Sequence, residues 1–531
     1  MSGVGERNLA RLAEAAFERR GDHPALLFEG TTHTAGELFA RACRIAGGLA
    51  ELGVAPGDRV TVSMANCPEV GILYSAIWRA GAVVTPGMFL LPEADLRDQI
   101  ADARASVVCT TPEFENKVRS AVAGLAHVRA VITTGPGGDG VTPLRELETG
   151  DAGPIVARGD DDLAALLYTG GTTGRAKGVM LSHANLHYTG AAAHESAYVR
   201  GITRGLGTLP LSHAYGILVT ISGLHNPEPG FAALLRWFDP VAFPALVAEH
   251  ELQISAVVPS MLQILLGQPL EQHDRSTLEY VTSGGAPLAP DVAAEFCRRV
   301  PSVSIRQGYG LTETGALISS TPVGRERPGS VGLPVPGCEV EVIDDDGASL
   351  PAGEAGEITA RSPGVMQGYW RAPEATAEAI RNGRLHTGDI GYQDEDGYLF
   401  IVDRKKDLII RGGFNVYPRD VEDALVEHPA VSVAAVIGEP DDRHGEEVVA
   451  FVSLVPGAAL APEELIAWAR ERIGGYKYPR SVHVIDAVPL TPVGKIDRKA
   501  LRARFSRPGC IREPDAQESL VSNAEVRGWQ R

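Results

Sequence analysis

From Thr34 to Val54 the apolar residues Leu38, Ala42, Ile45, Leu49 and Leu52 recur every three or four positions, which predicts an amphipathic helix with one buried stripe. A Pro-Gly-Asp turn at 56–58 ends it, and Val60-Thr-Val-Ser-Met64 reads as a strand. A second helical run, Pro68 to Arg79, leads to the strand Ala82–Thr85 and completes a strand–helix–strand unit. Short apolar strands recur at Ser106–Thr110, Leu163–Tyr168, Ile254–Val258 and Tyr280–Thr282, most of them followed by helical or loop segments. This alternation predicts an α/β protein with mostly parallel sheets.

The pattern changes near Gly329. From there to Val402 the chain is rich in Gly, Pro and short β-branched runs (Val340–Ile343, Glu357–Ala360, Tyr398–Val402), which predicts a β-rich subdomain of antiparallel hairpins. A charge cluster, Asp403-Arg-Lys-Lys-Asp407, marks a domain boundary. Beyond it, strands at Ser432–Ile437, Val448–Val455 and Ser481–Ile485 surround helices at Pro418–Glu427 and Pro462–Ile473, a compact α+β unit. Residues 506–531 are polar and without periodicity, and read as a loose tail.

Composition narrows the function. The 531 residues are 44% hydrophobic and 22% charged, an ordinary globular mixture long enough for two or more domains. Forty-nine basic against 67 acidic residues leave a formal charge of −18, which argues against nucleic acid or an anionic membrane as partner. An anionic substrate would need its charge neutralised locally. The N-terminus has no apolar core of a signal peptide, and the longest nearly apolar run, Ala214–Leu224, is too short to span a bilayer. A soluble, cytoplasmic protein without stable membrane insertion is the expectation. Six cysteines lie scattered without C-x-x-C spacing, so a reducing compartment and no structural zinc are expected.

Four segments carry candidate chemistry. In Leu166-Leu-Tyr-Thr-Gly-Gly-Thr-Thr-Gly-Arg-Ala-Lys-Gly178 a buried-strand pattern runs into glycines, threonines and one lysine. Glycines let a backbone approach a phosphate and aim N–H groups at it, hydroxyls add donors, and a lysine adds mobile positive charge. The spacing is not that of a Walker A loop, and a bare glycine turn between strand and helix is the bland alternative. Gln307-Gly-Tyr-Gly-Leu-Thr-Glu-Thr314 gathers an aromatic, a hydroxyl and a carboxylate on a loop loosened by glycine; a surface turn with a half-buried tyrosine would look the same. His386-Thr-Gly-Asp389 reads as a tight turn presenting one carboxylate, and Thr491-Pro-Val-Gly-Lys-Ile-Asp497 offers a lysine on a Pro/Gly loop. Each is ambiguous alone. Their order and spacing together are not.

With these motifs, and with Asp-Arg-Lys-Lys-Asp (403–407) and Gly-Gly-Phe-Asn-Val-Tyr-Pro (412–418), the chain from about 8 to 502 resembles the adenylate-forming superfamily of acyl-CoA synthetases, luciferases and peptide-synthetase adenylation domains. Gly170 departs from the serine of many members and looks like the bacterial fatty acyl-CoA synthetases. The resemblance implies an acid–thiol ligase: a carboxylate attacks the α-phosphate of ATP, pyrophosphate leaves, and a thiol then displaces AMP from the acyl-adenylate. It assigns the loop Thr169, Gly170, Gly171, Thr172, Thr173, Gly174 and Lys177 to the β- and γ-phosphates, Thr312 to the α-phosphate and Glu313 to Mg²⁺. Tyr309, next to Gly310, would stack on adenine opposite Gly284, Gly285 and Ala286. Asp389 and Arg404 would hold the ribose, and Lys495 would bridge the acyl carboxylate and α-phosphate. It further implies a large adenylation domain over 1–403, a hinge at 404–406 pivoting on Lys406, and a small mobile domain over 407–505 whose Gly412 and Gly413 line a thiol channel.

Substrate identity is less legible. Leu211-Ser-His-Ala-Tyr-Gly216 occupies the family position flanking the acyl carboxyl end, so His213 and Tyr215 are acyl-pocket candidates, although His213 alone could equally be a core histidine. No Asp occurs between Thr208 and Trp237 to pair a substrate ammonium, which disfavours an α-amino acid. The apolar segments Val257–Leu262 and Ala316–Ile318 would suit a fatty or aryl acid. The acceptor is CoA or, alternatively, the phosphopantetheine arm of an acyl carrier protein. A catalytically silent adenylate-binding protein is the third reading, and retention of Glu313, Asp389 and Lys495 speaks against it.

Overall fold

The computed structural model describes residues 4–138, 140–169, 176–441, 443–491 and 496–505. The chain folds as two compact units, one through Val402 and one from Asp403.

Two large sheets organise the first unit. The eight-stranded sheet runs Gly368–Tyr369, Lys177–Ser182, Leu163–Thr169, Val83–Pro86, Arg59–Ser63, Val107–Thr110, Ala130–Thr133, Val141–Pro143. It is parallel from Leu163–Thr169 to its Val141–Pro143 edge, and antiparallel across the first three strands. The nine-stranded sheet has a parallel centre, Ser304–Tyr309, Tyr280–Gly284, Ile254–Val257, Arg204–Gly207, Phe231–Leu234 and Pro24–Phe28, with short antiparallel strands at both edges.

The helix expected from Thr34 is Ala35–Glu51, and Thr34 is its N-cap. The Thr34 hydroxyl accepts from the Glu37 amide while the Glu37 carboxylate accepts from the Thr34 amide, closing two otherwise orphaned donors. Helix Pro68–Arg79 spans the residues its periodicity predicts, and it ties the core to the strands that lead to the site. Trp78 and Tyr74 are its largest buried side chains; Trp78 Nε1 donates to the Ala164 carbonyl (3.0 Å) and the Tyr74 hydroxyl to that of Leu211 (3.0 Å).

The β-rich subdomain is an antiparallel sheet in the order Glu339–Ile343, Gly356–Arg361, Arg384–Gln393, Ile380–Arg381, with Leu399–Arg404 also on Arg384–Gln393. Here the structure corrects one expectation. His386–Asp389 is not a tight turn but part of the ten-residue strand Arg384–Gln393. Between the pairs Glu357↔Ile390 and Thr359↔His386 the register shifts, so the strand bulges at 387–389, with Gly388 at φ +68°. A glycine followed by an aspartate imitates a turn locally, and the pairing partners that make it a strand lie about 30 residues upstream.

The second unit is a sheet in the order Phe414–Val416, Ile409–Arg411, Gly445–Leu454, Val431–Asp441, with Ser481–Val484 parallel to Gly445–Leu454. Helices Pro418–Val426 and Pro462–Arg472 bury Val421, Leu425, Leu465 and Ala469 in one core with Val436, Ala450 and Val452. Among the described residues no helix is long and apolar enough to cross a membrane.

One buried histidine makes the first unit sensitive to acid. His183 begins helix His183–Ala197; its Nδ1 accepts from the Leu9 amide (3.2 Å), and its Nε2 is buried with no partner among the described residues. Burial, followed by the nearby Arg158 charge, holds its pKa down to about 4. The unfolded chain therefore binds a proton first, and the stability His183 contributes is complete above pH ~6.5 and falls away toward pH 4. The gap between the wild-type and His183→Asn stability curves should change by about 1.4 kcal/mol per pH unit across that window. A gap that stays constant with pH in denaturant titrations would refute this.

Candidate active site

Four parallel strands end on one edge of the nine-stranded sheet, and each hands over directly to candidate residues. Arg204–Gly207 leads to His213 and Tyr215, Ile254–Val257 to Val258, Tyr280–Gly284 to Gly285 and Ala286, and Ser304–Tyr309 to Gly310, Thr312 and Glu313. The carboxyl ends of parallel strands are where open α/β sheets bind ligands, because the chain there is free to present loops and backbone donors. Gln307–Tyr309 is thus the end of a strand and not a loosened loop, and Thr312–Thr314 is a single 3₁₀ turn. Glycine is required twice along this edge. A Cβ on Gly310 would lie 2.4 Å from the Ala316 carbonyl carbon, and Gly285 sits at φ +81°.

Tyr309 and Asp389 meet. The Tyr309 hydroxyl donates to Asp389 Oδ2 at 2.7 Å, and Asp389 is buried on the bulge of the Arg384–Gln393 strand. Two further contacts shape that bulge. The Thr387 hydroxyl accepts from the Asp389 amide (3.1 Å) and donates to the Ile358 carbonyl (2.7 Å), while the buried Glu357 carboxylate accepts from the Gly388 amide (3.3 Å). Glu357 was not among the expected site residues, since nothing in sequence ties it to a glycine 31 positions on.

Glu313 and Lys177 converge on a residue that sequence reasoning also missed, Tyr369. Its hydroxyl donates to Glu313 Oε1 at 2.7 Å, and Lys177 Nζ lies 5.1 Å from its ring centroid. Burial first, and the Glu313 charge second, push the Tyr369 phenol well above its ordinary range, so it stays a donor. The register explains the meeting. Tyr369, on the edge strand, pairs with Val179 of the neighbouring strand Lys177–Ser182, which puts Tyr369, Val179 and Lys177 on one face. The signal available in sequence was slight: two adjacent aromatics after a glycine, in a chain that is 6% aromatic.

His213 caps helix Ala214–His225, its Nδ1 accepting from the Tyr215 amide (3.2 Å). That role leaves the proton of the neutral ring on Nε2. The Tyr215 ring lies against Gly284, where a Cβ would come within 3.3 Å of it, and its hydroxyl donates to the Thr282 carbonyl (3.1 Å). Tyr215, Tyr309, Leu311 and Ala316 pack on one apolar cluster with Leu218, Leu317 and Ile318. Val257 and Leu262, expected along the acyl pocket, are instead wholly buried in a separate core cluster.

Arg404, Lys406, Gly412 and Gly413 belong to the second unit. Arg404 and Lys406 are exposed, and Lys406 lies in a 3₁₀ turn, Lys405–Asp407. Gly412 (φ +58°) and Gly413 (φ +83°) form the two-residue turn of a hairpin closed by the pair Arg411↔Phe414. Gly170, Gly171, Thr172, Thr173, Gly174 and Lys495 lie outside the described residues.

Residues 12–370 match the family model described as AMP-binding enzyme, and residues 420–495 match its C-terminal domain. The chain belongs to the AMP-binding enzyme family. A feruloyl-CoA synthase of Amycolatopsis sp is 38% identical to it over 90% of this chain and 94% of that protein. The long-chain-fatty-acid–CoA ligase of Bacillus subtilis is 34% identical over 93% and 94%. Among solved structures, ATP-bound MatB from Rhodopseudomonas palustris superimposes with a TM-score of 0.86 at 33% identity, over 94% of this chain and 99% of that one.

In this AMP-binding enzyme the donor set suits a hard cation. Glu313 uses Oε1 for Tyr369, and its Oε2 has no partner among the described residues. One carboxylate oxygen supplemented by substrate phosphates is the usual provision for Mg²⁺.

Proposed function

We propose that this AMP-binding enzyme joins a fatty or aryl carboxylic acid to CoA through an acyl-adenylate. A carboxylate oxygen forms a bond to the α-phosphorus of ATP as the bond to pyrophosphate breaks; the thiol sulfur then bonds to the acyl carbon, AMP leaves and the thiol proton passes to solvent. Lys177 neutralises the β- and γ-phosphates, Thr312 donates to the α-phosphate, and Tyr309 and Asp389 hold the nucleoside. Mg²⁺ on Glu313 would offset charge on the phosphates. His213 and Tyr215 border the acyl carboxyl group, and Lys495 bridges it to the α-phosphate. Arg404 contacts the ribose, and rotation of the small unit about Lys406 exchanges Lys495 for the Gly412–Gly413 turn between the two steps.

The observation that carries this reading is the convergence of Lys177 and Glu313 on Tyr369, with Glu313 on the turn that follows the strand ending in Tyr309, whose hydroxyl holds Asp389. Cation, metal-ligating carboxylate and nucleoside-binding pair are what in-line attack on a nucleotide phosphate requires. Acid-dependent exchange of pyrophosphate into ATP, run across aryl and fatty acids, should succeed with members of at least one class and fail with α-amino acids. Mass detection of the thioester with CoA, and separately with a holo-carrier protein, should favour CoA. Exchange with no acid in the panel would leave a nucleotide-binding protein without this activity.

A further inference from the structure

The hairpin Leu163–Thr169/Lys177–Ser182 has two faces at its outer end. One bears Lys177 and Tyr369, described above. The other bears Tyr168, Gly178 and Trp370, because Tyr168 pairs with Gly178 and the Trp370 amide donates to the Gly178 carbonyl (2.7 Å). A Cβ on Gly178 would come within 3.2 Å of Trp370 Cβ and 3.3 Å of Tyr168 Cζ, so the two aromatics close over the glycine. Both are then tied to one residue of another element. The Tyr168 hydroxyl donates to Asp102 Oδ2 at 2.6 Å, and Trp370 Nε1 donates to the Asp102 carbonyl at 3.1 Å.

Two features of this cluster run against local preference. Asp102 occupies the last turn of helix Glu93–Ala103, where the helix dipole disfavours an acid. Arg371, next to Trp370, holds φ +54°, in the left-handed region that a long side chain rarely adopts. Two guanidiniums border the cluster: Arg59 and Arg371 lie 5.6 and 5.4 Å from the Trp370 ring, and both act electrostatically on Tyr168. Arg59 is itself anchored on the carbonyls of Ala103 and Arg104, at the same helix end. Local rules broken together at one place point to a geometry that is held for a purpose.

We infer that Asp102, Tyr168 and Trp370 form a clamp on the back of the hairpin that positions Lys177 for the nucleotide's terminal phosphates. The rung Tyr168↔Gly178 adjoins the rung Thr169↔Lys177, so whatever fixes the first sets where the lysine stem leaves the sheet. These are positioning residues, and none of them touches the nucleotide. The inference rests on the reading that Lys177 serves the β- and γ-phosphates.

The test compares ATP with AMP, which lacks those phosphates, by titration calorimetry without acid substrate. Tyr168→Phe keeps the ring over Gly178 and removes only the hydroxyl. It should weaken ATP binding roughly three- to tenfold, the scale of part of one charge-assisted contact, and leave AMP affinity unchanged. In a Lys177→Ala background the same substitution should have no further effect. Asp102→Ala, at an exposed helix end, should reproduce the result if Tyr168→Phe fails to fold. The clamp is overturned if ATP and AMP affinities fall together, if neither changes, or if the loss persists undiminished without Lys177. A wild-type protein that binds neither nucleotide would instead overturn the reading of the site on which the clamp rests.

Discussion

Replacing Lys495 with alanine should slow adenylate formation by about 10²–10³ and leave thiol attack on a preformed adenylate near its normal rate. The first step brings an anionic carboxylate against a polyanion, and its transition state gathers charge on the carboxylate and α-phosphate oxygens. Lys177 is committed by its position beside Tyr369 and Glu313, so a second cation is needed where acyl group and α-phosphate meet. A lysine suits that place: its ammonium is a compact charge on a flexible stem, while arginine presents a rigid planar fork. The composition makes the choice conspicuous, because only seven of the 49 basic residues are lysines and four of these, Lys177, Lys405, Lys406 and Lys495, fall in motifs. The second step needs no such bridge, since the adenylate already carries its leaving group. Pyrophosphate exchange measures the first step, and thioester release from chemically supplied acyl-AMP measures the second. Equal losses in both would show that Lys495 does not act in adenylation.

Elements governed by local periodicity were legible in sequence, and those made by distant pairing were not. Helix Pro68–Arg79 and helix Ala35–Glu51 follow from their apolar stripes and their N-terminal signals. Gln307–Tyr309 hid inside a glycine-rich stretch of low strand propensity, and it is a strand because Tyr280–Gly284 lies beside it in register. Gly368–Tyr369 is two residues long, too short to show any period, yet it delivers Tyr369 to Glu313 and Trp370 to Asp102. The same division holds for the site. Glu313, Asp389 and Lys177 stood out as charged residues in ordered motifs, and the structure brings Lys177 and Glu313 to one tyrosine and Asp389 to Tyr309. Residues that shape these groups from behind, Glu357 under the bulge and Asp102 under the hairpin, carry no motif. Their role depends on register, which a single sequence does not display.

Lys406→Pro should spare adenylate formation and lower thioester formation by about 10²-fold, the cost of a reacting group held out of place. The residues on either side of Lys406 are fixed within the second unit. Asp403 accepts from the Arg404 and Arg419 amides (2.7 and 2.8 Å), and the buried Asp407 accepts from Arg502 Nη2 (3.1 Å) with Arg498 3.8 Å away. Arg498 in turn holds the buried Glu422 at 2.6 and 2.8 Å, whose pKa burial pushes up to about 7 against the pull of that guanidinium. Removing one member of such a buried set costs about 3–5 kcal/mol, so the Asp407 side of the turn stays with the small unit. Lys406 is exposed and precedes the Asp407 anchor, so a rotation about its backbone dihedrals has to release the Arg419 amide from Asp403, the contact that joins the two sides of the turn. Proline locks φ near −65° and removes that freedom. Exchange activity should therefore persist while acyl-AMP accumulates on the enzyme in the presence of CoA. Thioester yield equal to wild type would sink the pivot, and loss of both half-reactions with a cooperative unfolding transition unchanged would show that residue 406 acts in adenylation itself.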